Sequence, residues 1–148
     1  VDGSSYAVRM HGKLAAKGEV YAGIGFDFLE PRAPYDAQKY TGISFLAKRA
    51  PGSVATVRLK TPDGNTDPMG KVCTDCSNDF GVTFEVTEEW TRYTVSFDQF
   101  KQEQGWGEPR PATTAKDRLF GLMWQVATPD GDFDIWLDDI RFEGGCGG

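Results

Sequence analysis

Three observations in the sequence predict an all-β fold. Apolar residues alternate with polar residues or glycine along about eight short runs, and helical spacing is nearly absent. Turn chemistry separates the runs, as in Ala50-Pro51-Gly52, Pro62-Asp63-Gly64-Asn65 and Pro129-Asp130-Gly131-Asp132. Glycine is 18 of 148 residues and aromatics are 13%, more glycine than an average domain carries. Strands with one apolar face each must bury that face against another layer. The prediction is therefore a β-sandwich of jelly-roll type, two antiparallel sheets on a common core.

The elements follow in order. A weak run over 6–10 opens the chain. Ala22, Ile24, Phe26 and Phe28 then share a face, with Gly23, Gly25 and Asp27 between them. Ile43, Phe45 and Ala47 oppose Ser44, Leu46 and Lys48. Ala55, Val57 and Leu59 alternate with Thr56, Arg58 and Lys60, and Val82, Phe84 and Val86 with Thr83 and Glu85. Tyr93, Val95 and Phe97 oppose Arg92, Thr94 and Ser96, while Leu122, Trp124 and Val126 oppose Met123 and Gln125. The last run sets Phe133, Ile135 and Leu137 against Asp134, Trp136 and Asp138. Segments 98–104 and 112–118 are each long enough for one helical turn. The length suits one core and is short for two, so 1–143 is expected to be a single domain. The glycine-rich 144–148 is expected to be a tail or linker.

Several function classes are excluded or disfavoured. With Lys+Arg 16 against Asp+Glu 22, the net charge is −6, which lacks the basic footprint of nucleic-acid binding. No stretch approaches the roughly 18 apolar residues of a membrane span. No basic-then-apolar leader opens the sequence, so any export signal is expected to have been removed or to lie outside it. His11 is the one histidine, which rules out a HExxH site and leaves a Ser-His-Asp triad without a nucleophile elbow. No glycine-rich loop opens a helix to cradle phosphate. Carboxylates are plentiful at Glu85, Glu88, Glu89, Asp138 and Asp139, but Glu88 and Glu89 read as solvated charge in a turn. A glycosidase needs two carboxylates about 5–9 Å apart, and nothing in the spacing assigns such a pair. The expectation is a protein without catalytic residues.

Register sorts the aromatics. Phe26, Phe28, Phe45, Phe84, Tyr93, Phe97 and Trp124 lie in phase with aliphatic residues and are expected in the core. Trp136 lies in phase with Asp134 and Asp138, and Tyr21 with Gly23 and Gly25. Glycines beside an aromatic leave a shallow trough, and Arg58, Met123 and Gln125 point outward by the same count. Flat rings with a fringe of hydrogen-bonding groups suit the apolar faces and hydroxyls of pyranose rings. The expectation is one concave outer face carrying Tyr21, Arg58, Met123, Gln125 and Trp136. Trp90 and Trp106 read as loop anchors. The competing expectation is a structural or protein-interaction jelly roll of a larger secreted protein, with Tyr21 and Trp136 covered by a loop.

Four segments carry a resemblance: the run 35–45 (YDAQKYTGISF), the loop Thr66-Asp67-Pro68 followed by Cys73 and Cys76, the run 90–97 (WTRYTVSF), and the ending 133–140 (FDIWLDDI). In this order they resemble the galactose-binding-like jelly rolls of secreted bacterial polysaccharide-degrading enzymes, similar to family-11 carbohydrate-binding modules. The resemblance covers roughly 6–142. It implies a non-catalytic module that brings an appended glycoside hydrolase to plant β-glucan or hemicellulose, secreted and extracellular. Relatives often carry an aromatic where Leu46 stands here. The resemblance also implies structural calcium, with Asp139 as first ligand, Asp138 beside it and Asp2 as a partner. Abundant hard oxygen donors agree with that choice of metal. The stretch 63–74 is not an EF-hand loop, since Pro68 takes the place of the required glycine and Thr74 that of the final Glu. Cys73-Thr74-Asp75-Cys76 is the one CxxC. A zinc site would need Cys146 and a further group, and a redox motif would need a βαβ unit. A secreted setting and the resemblance both imply a Cys73–Cys76 disulfide, with Cys146 left over.

Overall fold

Each alternating run forms a strand in the computed structural model, which describes residues 6–18, 20–110 and 112–145. The strands are β1 (Val8–Lys13), β2 (Ala22–Asp27), β3 (Gly42–Arg49), β4 (Thr56–Thr61), β5 (Phe80–Glu85), β6 (Thr91–Ser96), β7 (Gly121–Val126) and β8 (Asp132–Glu143). One sheet has the order β1-β8-β3-β6 and the other β2-β7-β4-β5, with antiparallel neighbours throughout. This is the expected β-sandwich of jelly-roll type. The expected helical turns shrink to 3₁₀ turns at Phe97–Gln99 and Lys116–Arg118, with a third at Pro68–Gly70.

The core sits between the sheets. Phe45 and Trp124 are buried at its centre, edge to face at 5.4 Å, with Tyr93 stacked 5.6 Å from Phe45. A second aromatic cluster surrounds Phe142, where Tyr40 stacks at 4.4 Å and Phe28 and Tyr35 approach to 5.1 and 5.5 Å. Phe142 reaches that position through a bulge. The β3–β8 register shifts between Ser44 and Leu46, and Asp139 on the bulged strand has φ 46°. One extra residue inverts the alternation, so the inward set Phe133, Ile135 and Leu137 continues as Ile140 and Phe142.

Phe26 departs from its expected place. It is in phase with Ile24, yet 44% exposed. β2 is the edge strand of its sheet, so a ring near its end has a sheet neighbour on one side alone. Alternation reports which face a residue takes, not how far the opposing sheet extends over it.

Candidate functional site

The outer face of the β2 sheet is a trough with a floor set by register. Across the strands run the rows Gly23–Gln125–Arg58 and Gly25–Met123–Lys60. A Cβ at Gly23 would lie 2.6 Å from the Trp124 carbonyl oxygen, and one at Gly25 2.7 Å from that of Leu122. Neither position admits a side chain without moving backbone, so this strip of floor stays bare. Tyr21, 59% exposed, stands at one rim.

The opposite wall comes from the two long connections, 62–79 and 97–120. Asp63 is fully buried and organises the first: its carboxylate accepts the N–H groups of Asn65 (2.9 Å), Thr66 (3.0 Å) and Ala115 (2.7 Å). Cys73 and Cys76 are joined in the expected disulfide. Thr74 N–H donates to Glu108 at 2.8 Å, and Arg110 donates to the Val72 carbonyl at 3.1 Å, so the disulfide loop is tied to the second connection. Those contacts hold the Glu108 carboxyl below its usual range, chiefly through the Thr74 N–H. Buried Asn78 completes the wall. Its Nδ2 donates to the carbonyls of Glu103 (2.9 Å) and Trp106 (2.7 Å), and its Oδ1 accepts the Glu103 N–H (3.0 Å).

Trp106 is thereby held over the trough, 46% exposed, its indole N–H donating to Glu103 at 3.1 Å. This corrects the expectation that Trp106 is a loop anchor. The signal was there in Gly105-Trp106-Gly107, a tryptophan between two glycines with no alternating partners. Both glycines have positive φ, 89° and 69°. Between Tyr21 and Trp106 the trough encloses about 790 Å³, within the range of small-ligand sites.

Four of its charged groups, Arg32, Lys60, Asp67 and Asp79, stand in ion pairs. Lys60 lies 3.4 Å from Asp79, whose other oxygen accepts the Thr66 hydroxyl at 2.7 Å. Burial pushes the Asp79 carboxyl up, with Lys60 and Thr66 opposing. Arg32 pairs with both Asp27 and Asp67.

The expected site residues divide between the two sheets. Tyr21, Met123 and Gln125 line the trough together. Arg58 is on the same face, but its guanidinium donates to the carbonyls of Lys101 (2.6 Å) and Asp79 (3.5 Å), and its Nε is buried without a partner. Burial pulls its pKa down. Arg58 supports the second connection from below. Trp136 corrects the expectation of one shared face, because β8 belongs to the other sheet. Outward-facing was right; the sheet is fixed by strand order, which alternation does not report. Trp136 stands in the row Arg9–Trp136–Lys48, with Arg9 4.8 Å and Lys48 5.0 Å from its ring centre. Lys48 also lies 5.2 Å from the ring of Trp90. Arg9 in turn makes two 2.8 Å hydrogen bonds to Asp134.

The carboxylates expected to hold calcium are otherwise engaged. Asp139 accepts from Arg92 and, at 2.6 Å, from Arg141, and the hydrogen bond from Arg92 chiefly holds its carboxyl below the usual range. Asp138 accepts the Asp139 N–H at 2.7 Å. Asp2 lies outside the described residues. Two guanidinium groups on one carboxylate are the wrong surroundings for a cation, and among the described residues no three acidic, His or Cys side chains converge. Asp138 and Asp139, with the partners they have here, do not fit calcium.

No family model matches the sequence, and no curated protein matches it. Solved structures do match in fold. A family 11 carbohydrate-binding module of a cellulosomal cellulase of Clostridium thermocellum superposes with TM-score 0.66 at 12% identity, over 95% of this chain and 84% of that one. A Clostridium thermocellum family 11 module in complex with a β-1,3-1,4-mixed-linked tetrasaccharide gives TM-score 0.64 at 14% identity, over 96% and 86%. A family 30 carbohydrate-binding module gives TM-score 0.65 at 11% identity, over 99% and 73%. The fold is the jelly roll that carbohydrate-binding modules of families 11 and 30 share.

Proposed function

We propose that the protein is a non-catalytic carbohydrate-binding module that seats a polysaccharide chain in the trough of the β2 sheet. The observation that carries this reading is the bare glycine floor between two exposed aromatic residues, Tyr21 and Trp106. Rings supply apolar faces for pyranoses, and Met123 and Gln125 supply floor contacts and an amide for hydroxyls. The fold it shares with modules of families 11 and 30, one of them in complex with a mixed-linkage tetrasaccharide, favours β-glucan or a related plant polysaccharide as the ligand. A module of this kind serves a secreted enzyme by raising its local substrate concentration. An appended glycoside hydrolase and an extracellular setting belong to the same proposal, which the disulfide favours.

Asp139 and Asp138 are proposed to act as an ion-pair and turn node in place of calcium ligands. On that reading EDTA leaves the melting temperature unchanged, and a fall of several degrees restores calcium. Affinity electrophoresis in gels containing mixed-linkage glucan, xyloglucan or xylan tests the main proposal. Retardation by at least one of them is expected, and free migration in all three contradicts it.

A further inference from the structure

The trough does not end where its floor ends. Beyond Gly25 and Met123 the next row is Asp27–Gly121, and a Cβ at Gly121 would lie 2.1 Å from the Phe26 carbonyl oxygen. At Gly121 the bare floor therefore continues for another row, beside the Asp27 side chain. It opens into a second compartment of about 270 Å³, bordered by Asp27, Gly121 and Leu122. The two compartments share Gly25, Met123, Pro62 and Arg32.

Of these four residues, Arg32 is the one held by ion pairs at both ends. Arg32 donates through Nη1 to Asp27 at the end of β2 and through Nη2 to Asp67 in the connection after β4. Both ends of this strut are fixed. Asp27 pairs with Gly121 in the ladder, and Asp67 also accepts the Met69 N–H at 2.9 Å at the start of the 3₁₀ turn. The guanidinium lies 5.2 Å from the ring of Phe120, which limits its movement from one side. A chain following the floor from Gly23 past Gly25 meets this strut before it reaches Asp27 and Gly121.

We propose that Arg32 is a specificity-determining residue that stops the trough, so that the protein seats a short stretch of glycan in the larger compartment. With the strut removed, the same floor accommodates a longer stretch. The proposal rests on the carbohydrate reading and adds a dependence on ligand length.

Isothermal titration with a tetrasaccharide and an octasaccharide of mixed-linkage β-glucan tests it, through the ratio of their affinities. In the wild type the octasaccharide gains only the small factor that its extra binding registers allow. In Arg32→Met, which keeps an apolar stem beside Phe120, the octasaccharide gains roughly fivefold or more over the tetrasaccharide, the scale of one further hydrogen-bonded contact. Asp27→Ala frees the β2 end of the strut and shifts the ratio in the same direction, which carries the test if Arg32→Met fails to fold. A wild-type ratio in the folded variants overturns the proposal, as does a wild type that already favours the octasaccharide by more than tenfold. Binding of neither ligand by any of the proteins overturns the carbohydrate reading and the strut with it.

Discussion

The two outer faces of this sandwich carry similar residues to opposite ends. On the β2 sheet, glycines at 23, 25 and 121 clear a floor, and the aromatics stand at its margins with their rings exposed. On the β1 sheet, Trp136 is central in its row and bracketed by Arg9 and Lys48, with Trp90 beyond. The first arrangement keeps ring surface exposed, and the proposed ligand would use it. The second already occupies it with cations of the same chain. An outward tryptophan is therefore not by itself a binding residue; what matters is whether cationic side chains of the same chain cover its ring.

The difference is testable in descending order of effect. Trp106→Ala and Tyr21→Ala each remove a ring from the trough and are expected to weaken polysaccharide binding about tenfold or more, about 1.4 kcal/mol, with the fold intact. Filling the floor tests the glycines: Gly23→Val is expected to weaken binding severalfold and to destabilise by about 1–3 kcal/mol, since its Cβ meets backbone. Chemical denaturation separates the two losses. Reduction of Cys73–Cys76 is expected to weaken binding, because the loop it closes ties the wall that carries Trp106. Equal affinity before and after reduction would show that the wall stands without it.

On the other face the expectation reverses. Trp136→Ala loses two cation–π contacts worth about 0.5–1 kcal/mol each at exposed sites, for a fall in Tm of roughly 3–6 °C, and binds polysaccharide as the wild type does. The smallest effect concerns acid. Asp139 and Asp134 have pKa values held below 3.8 by Arg92 and Arg9, so their contribution is present above that value and lost as pH falls through the lower folded one. Asp79 works in the other sense. Burial raises its pKa, so it favours the native state while protonated and costs stability as pH rises through the raised value. Asp139→Asn is expected to flatten the acid limb of Tm against pH, and an unchanged limb would remove Asp139 from the ion-pair role.

The fold was legible in the sequence because alternation with period two states directly which face of its strand each residue takes. The same count found Tyr21, Met123 and Gln125, whose places depend only on which way they face. It misplaced Trp136, since facing outward is shared by two sheets and the order β1-β8-β3-β6 arises from long-range pairing. It placed Phe26 in the core because it treats edge and central strands alike. Trp106 was out of its reach, for a residue in a connection has no period, and its position is built by Asn78 and the tied loops. The bulge at Asp139 also lies outside it: the regular alternation ends near Asp138, and the strand continues in inverted phase to Glu143.

The most direct measurement runs Trp106→Ala and Trp136→Ala side by side in an affinity gel containing mixed-linkage β-glucan. If the trough is the binding face, the first migrates almost freely and the second is retarded like the wild type. Retention of Trp106→Ala with release of Trp136→Ala would move the site to the other sheet and contradict the assignment.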